Sequence, residues 1–242
     1  MLKKKLFVAV LASSFAISAA ADDLSFSTNV AIASDYLYRG ISQTGTGPAI
    51  QGGFDLSHTA GLYAGVWGSS ISWLGDAGIP NSGTEIDTYA GYKGAAGDVS
   101  YDVGFLRYNY PGTYGTATKA DTNEIYGSVG YSFISAKLSY SLGDLFGVPD
   151  AKGSTYLELN ASYPVADSGI TLGAHYGKQT YSGTTVDDVA TYSDYKLSAT
   201  RDFSGYVVGA TYSSTNAGTF YTNPQGKELG KGTLVLSLTR SM

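Results

Sequence analysis

Cysteine is absent from this sequence, and histidine and methionine occur twice each. Without cysteine there is no disulfide framework, no thiolate metal site and no thiol nucleophile. With only His58 and His175, a histidine-centred catalytic site has little to draw on. Charged residues make up 14% of the chain, and acids outnumber bases to leave a net charge of −5. That balance excludes a nucleic-acid partner, whose phosphates need a basic surface. Beyond Ala21 there is no apolar run long enough for a membrane-spanning helix. A chain of this kind can cross a bilayer only as a closed sheet.

What is present begins at the N-terminus. Met1-Leu2-Lys3-Lys4-Lys5 is basic, Leu6 to Ala16 is mostly apolar, and Ala19-Ala20-Ala21 is a small-residue cleavage motif. In that order they make a secretory signal peptide over residues 1–21, leaving 22–242 as the exported protein. Glycine (32) and tyrosine (21) are abundant. Without an every-third-residue glycine repeat this is not collagen. Tyrosine-rich, glycine-rich, acidic and exported suits both a transmembrane β-barrel and a secreted β-sandwich, so periodicity has to decide.

Segments of period two, each near ten residues, recur along the exported chain. The first sets Leu24, Phe26, Thr28, Val30 and Ile32 against Ser25, Ser27, Asn29, Ala31 and Ala33. Others lie near 49–58, 61–73, 84–93, 98–109, 122–132, 134–143, 154–163, 169–178, 193–202, 205–214 and 231–241. About ten residues is what a tilted strand needs to cross a bilayer. The links alternate, short ones (such as 58–61 and 94–97) with longer polar ones at 40–48, 74–83, 110–121, 144–153, 179–192 and 215–230. Short turns on one side and long loops on the other belong to outer-membrane barrels. The spacing therefore predicts an all-β fold: a closed antiparallel transmembrane barrel of about twelve strands, set in outer-membrane lipid. In the third strand Leu62, Ala64 and Val66 are assigned to the lipid side. Tyr36, Tyr38, Tyr92, Tyr108, Tyr110, Tyr131 and Tyr163 fall near strand ends, where interfacial aromatic girdles lie.

The same alternation places Asp35, Asp55, Glu85, Asp87, Asp102, Glu124, Glu158 and Asp194 on the inner face, with Arg39, Lys137 and Lys196 as the bases. Asp35, Arg39, Glu85, Asp87, Glu124 and Glu158 are the candidates for a charged constriction. Arg39 would end the first strand, four residues from Asp35 on the same face. An inner acidic excess favours cations. His175 lies mid-strand facing the lumen, with Gly173 and Gly177 two residues away on its face, so no serine–histidine pair forms locally. Gly226 to Thr233 has the wrong spacing for a phosphate loop. No cofactor or metal is implied.

Ser34-Asp35-Tyr36-Leu37-Tyr38-Arg39-Gly40-Ile41-Ser42-Gln43-Thr44, followed by Pro48 to Asp55, resembles the signature of the TorF-like family of proteobacterial porins. Gly61 to Ser69, Glu85 to Tyr92, Tyr108 to Gly112 and Glu124 to Tyr126 resemble its later blocks in order. The resemblance is dense from 24 to 131. It implies an outer-membrane barrel and says little about the solute. The function expected is passive passage of small hydrophilic solutes or ions, without enzymatic activity. A structural or adhesive barrel with a plugged lumen, or an outer-membrane enzyme, stands as the alternative.

Export predicts loss of residues 1–21. Intact-mass spectrometry of the membrane-inserted protein should give a chain beginning at Asp22, and a chain retaining Lys3 would overturn the assignment.

Overall fold

The computed structural model describes residues 23–183 and 186–242. The signal-peptide assignment lies outside the described residues. The strands are β1 (Leu24–Ala33), β2 (Leu37–Tyr38), β3 (Ile41–Ser42), β4 (Ala49–His58), β5 (Leu62–Ser70), β6 (Thr84–Ala96) and β7 (Val99–Asn109). They continue as β8 (Thr122–Tyr131), β9 (Ile134–Ser141), β10 (Thr155–Val165), β11 (Ile170–Thr180), β12 (Tyr192–Phe203), β13 (Tyr206–Thr215) and β14 (Thr233–Ser241). Two single-turn helices, α1 (Trp73–Asp76) and α2 (Asp187–Ala190), sit in the connections.

All strands except β2 and β3 join one closed antiparallel barrel, so twelve strands form the wall. Each pairs with its sequence neighbours, and β1 closes on β14 with Asn29 opposite Ser241 and Ala33 opposite Ser237. Closure leaves no edge whose amides would be stranded in hydrocarbon. No helix among the described residues is long and apolar enough to cross a membrane.

The side chains are sorted inside out. Val103, Val129, Leu157, Leu197 and Leu234 are all exposed on the outer wall, Val103 at 54%. So many exposed aliphatic side chains would form a sticky patch in water, but on a barrel they meet lipid. Leu62 and Val66 are exposed too, which settles the face of β5 as expected. The alternate positions carry acids, bases, serines and tyrosines into the lumen.

Tyrosine and glycine are coupled on that inner face. A Cβ on Gly65 of β5 would lie 2.5 Å from the ring of Tyr89 on β6. One on Gly177 of β11 would collide with the Tyr156 hydroxyl of β10. The rings lie along the wall over neighbouring glycines, with hydroxyls anchored: Tyr89 donates to Asp55 at 2.6 Å and Tyr63 to Asp102 at 2.6 Å.

At one end the links are tight. Ser204 and Gly205 join β12 to β13 with φ of 57° and 88°, the left-handed pair of a two-residue type I′ hairpin. The opposite end carries the long connections, and the first of these departs from the expectation. β1 stops at Ala33, and residues 34–48 leave the wall, so neither Asp35 nor Arg39 belongs to a barrel strand. The segment folds on itself as the hairpin β2–β3, with Tyr38 opposite Ile41.

The register predicts that Val103→Arg, which places a charge on the lipid face, costs about 2–4 kcal/mol near the midplane. Ser128→Arg, directed into the lumen, should cost much less. Urea titrations of the refolded barrel in lipid compare the two, and equal losses would contradict the register.

Candidate functional site

The site is the long-loop end of the lumen, where the hairpin folds inward. Its tip is Arg39-Gly40, with φ of 47° and 80°. This is again a type I′ turn, which places both tip residues in the left-handed region. A Cβ on Gly40 would lie 2.7 Å from Asp194 Cβ on β12 and 2.6 Å from Thr215 on β13. Glycine is therefore required twice there, for conformation and for space.

From this tip the side chains reach the wall in several directions. Arg39 donates through Nη2 to both carboxylate oxygens of Glu124 on β8, at 2.7 and 3.0 Å. Its Nη1 donates to Gln179 Oε1 on β11 at 2.7 Å. Its guanidinium lies over the Tyr156 ring of β10, 4.3 Å from the centroid. Tyr38 donates to the Tyr108 hydroxyl on β7 at 2.7 Å, and Tyr108 donates on to Glu124 at 3.1 Å. Tyr36 donates to Glu85 on β6 at 3.2 Å. Tyr192 of β12 donates to the Arg39 carbonyl at 2.9 Å. The hairpin thus spans the mouth and is bonded to opposite sides of the wall.

Burial follows. Glu85 and Asp194 are 0% exposed and Glu124 2%, while Arg39 keeps 7%. Burial works against the Arg39 charge, and the Glu124 carboxylate beside it outweighs that and holds the guanidinium firmly protonated. Asp35 sits at the base of the hairpin, where Ser42 donates to it at 2.7 Å and Thr44 at 2.9 Å. Burial pushes the Asp35 carboxyl above its ordinary value despite those two hydroxyls. Arg39 therefore pairs with Glu124 and stands at the turn of a hairpin, not at the end of the first strand as the alternation predicts.

The six sequence candidates do not form one ring. Glu85, Asp87, Glu124 and Arg39 meet under the hairpin, and Asp35 lies at its base. Glu158 stands deeper on β10, 3.9 Å from Lys137 and 3.8 Å from His175. His175 is held by Asn160 at 2.6 Å, Tyr156 at 3.0 Å and Asp194 at 3.1 Å. Its ring nitrogens are occupied by the lumen wall, and none of these partners is a serine or threonine. Among the described residues, no group of three or more histidine and carboxylate side chains is placed to hold a metal ion.

The tyrosine set divides. Tyr92, Tyr131 and Tyr163 are exposed on the outer wall at strand ends, as girdle residues are. Tyr36, Tyr38, Tyr108 and Tyr110 are instead packed over the mouth with Ile71, Leu74 and Phe146, which corrects their assignment to the girdle. For Tyr108 the cause was readable: Val103 and Phe105 face lipid, so two-residue alternation turns 108 inward. For Tyr36 and Tyr38 the cause is the departure of residues 34–48 from the wall. Sequence reasoning also missed Gln179, Tyr156 and Tyr192, which complete the seat of Arg39 and carry no motif.

The profile of a bacterial protein family of unknown function, Gcw_chp, matches residues 18–242. It does not single out the TorF-like family that the motifs resemble. A search of curated proteins finds no match. Among solved structures, the KdgM porin in complex with disordered oligogalacturonate aligns at a TM-score of 0.52 and 8% identity, over 90% of this chain and 98% of that one. A chain from work on the in-meso crystallization of membrane proteins aligns at 0.52 and 7%, over 90% and 83%. An outer membrane channel from Pseudomonas putida F1 gives 0.48 and 14%, over 91% and 95%. At 8% identity the likeness to the KdgM porin is one of fold, and the fold is that of a porin-like barrel.

Removing Arg39 leaves Glu124 buried without its counter-ion, a loss of about 3–5 kcal/mol for a pair of this kind. The wall ladder does not pass through the hairpin, so the loss falls on seating. Arg39→Ala should accelerate hydrogen exchange at the Leu37–Ser42 amides by at least about tenfold while the amides of β8 and β11 stay protected. Uniform acceleration across the barrel would show that the pair holds the whole fold instead.

Proposed function

The chain belongs to the Gcw_chp family, and we propose that it is an outer-membrane channel for small hydrophilic solutes, closed at its long-loop end by the hairpin of residues 34–48. The observation that carries this reading is the nature of the closure. The wall is a polar-lined twelve-strand barrel, while the seal is a segment outside its ladder. Beyond Ser34, which is bonded to Leu236 of β14, the seal can leave without breaking a backbone hydrogen bond of the wall. Below it the lumen keeps partly exposed polar side chains, among them Lys137 at 33% and Lys196 at 25%. Short turns then lie on the periplasmic side and long loops outside, the arrangement general to these barrels.

A cation preference is part of the proposal. Three lumen acids have basic partners: Glu124 with Arg39, Glu158 with Lys137 and Asp194 with Lys196. Glu85 Oε2 and Asp87 Oδ1 are buried without a hydrogen-bond partner. When the hairpin leaves, Arg39 leaves with it, and Glu85, Asp87 and Glu124 face the water path together. Carboxylates lining a narrow path lower the energy of a passing cation and raise that of an anion.

The packing over the mouth also favours a second reading, a structural barrel whose lumen stays plugged. Planar-bilayer recording separates the two. Replacing residues 36–43 by a glycine-serine run of equal length should raise single-channel conductance several-fold. Its reversal potential in a salt gradient should show cation preference, weaker in 1 M salt, where the screening length is about 3 Å. Adding Glu85→Gln, Asp87→Asn and Glu124→Gln should remove the preference. A replaced barrel that still passes no current favours the plugged reading, and a preference for anions overturns the acidic path.

A further inference from the structure

We propose that the cavity on the outer side of the hairpin binds one ring of an uncharged sugar, which names the solute class read at the closed mouth and in that role rests on the channel reading. The cavity encloses about 270 Å³, near the lower end of ordinary small-molecule sites, roughly 300–1,000 Å³. That restricts the occupant to one or two rings. Its floor is the hairpin itself, through Tyr38 and Gln43, and its walls include Trp73, Tyr181, Tyr192 and Tyr221.

Three features select the chemistry. First, among the described residues none that lines the cavity is charged. Burial pushes the Tyr181 hydroxyl up to about 12, so it stays neutral and able to donate. The Arg39 charge below is already taken by Glu124. An ionic ligand would lose its water with no counter-charge in return.

Second, the rings are fixed before a ligand arrives. Tyr192 and Tyr221 pack edge to face at 4.8 Å, Trp73 and Tyr110 at 5.4 Å. Tyr221 donates to the Ala190 carbonyl of α2 at 2.6 Å. Ring faces held in advance bind without the ordering cost of mobile side chains.

Third, polar groups stand among the rings: Ser42, Gln43, Gln179, Thr222 and Asn223 line the same cavity. A pyranose ring answers all three features. Its C–H faces pack on aromatic rings, its hydroxyls both donate and accept, and it carries no charge. A bare aromatic solute would cover the rings and leave the polar groups beside them unmet, and a uronic acid would bring an uncompensated carboxylate.

The floor couples binding to the seal. The Gln43 carbonyl accepts from the Ser72 amide at 2.8 Å and the Trp73 amide at 3.2 Å. A ring seated between Trp73 and Gln43 therefore presses on the contact that ties the hairpin to the next loop.

The test is equilibrium titration of the full exported chain, refolded in a detergent without a sugar head group. The readout is the fluorescence of Trp67 and Trp73, the chain's two tryptophans. Glucose should give a saturable change, with galacturonate and phenol as comparators giving none in the same range. Phe220→Ala, which removes a wall ring, and Thr222→Val, which keeps the shape and removes the hydroxyl, should each raise the dissociation constant about tenfold. If Phe220→Ala does not refold to a heat-modifiable barrel, Thr222→Val decides alone. The proposal is overturned by the absence of saturation with glucose, by galacturonate binding equally well, by phenol saturating first, or by glucose binding unchanged in Thr222→Val. Binding is read without current, so a barrel that binds glucose and never conducts would sink the channel reading and leave this site standing.

Discussion

Every backbone amide and carbonyl in a bilayer needs a partner inside the protein, and that single requirement organises this molecule. It forces the ladder to close, with β1 on β14. Closure fixes the two-residue alternation, because each strand then has one side in lipid and one in the lumen. The alternation in turn gathers acids and tyrosines on the inside and leaves aliphatic residues facing outward. The packed apolar residues of this protein accordingly cluster at the loop end, around Ile71, Leu74 and Tyr110, and not in the wall.

The wall was legible in the sequence for the same reason. Strand positions, the face of Leu62 and Val66, the inward acids and the sorting of short turns from long loops all follow from local alternation, which one chain displays by itself. The mouth was not legible. Arg39-Gly40 between short β-formers is a weak turn signal beside Asn-Gly or Asp-Gly, and alternation through Tyr36 and Tyr38 reads as a strand running on past Ala33. The partner that matters for Arg39 stands 85 positions away at Glu124. Gln179, Tyr156 and Tyr192 have no motif, since each acts only through the place that closure gives it.

The mouth and the wall obey different energetics. Wall strands gain from cooperative ladders and from lipid, and a single side chain changes them little unless it places charge in hydrocarbon. Beyond Ser34 the hairpin makes no ladder bond with the barrel. It is held by one two-pronged ion pair, several tyrosine hydroxyls, ring packing and backbone bonds to Ser72, Trp73 and Leu229 of the neighbouring loops, interactions strong only while water is kept out. Such a seal is cooperative on a small scale: admitting water weakens all its polar contacts at once. A local two-state element inside a rigid frame is what a gated passage requires.

The rings of Tyr89 and Tyr156 lying along the wall over Gly65 and Gly177 bear on something other than stability. A tyrosine ring standing out from the wall would occupy the bore; one lying flat takes almost none of it. The recess beneath each ring is a missing side chain, so the calibre of the lumen is governed by its glycines while its polarity is governed by the hydroxyls and carboxylates beside them. Size exclusion and charge discrimination are thereby written in separate residues. A barrel of this design can narrow by a single methyl group at Gly65, which would swing the Tyr89 ring off the wall, with every lumen charge left as it was.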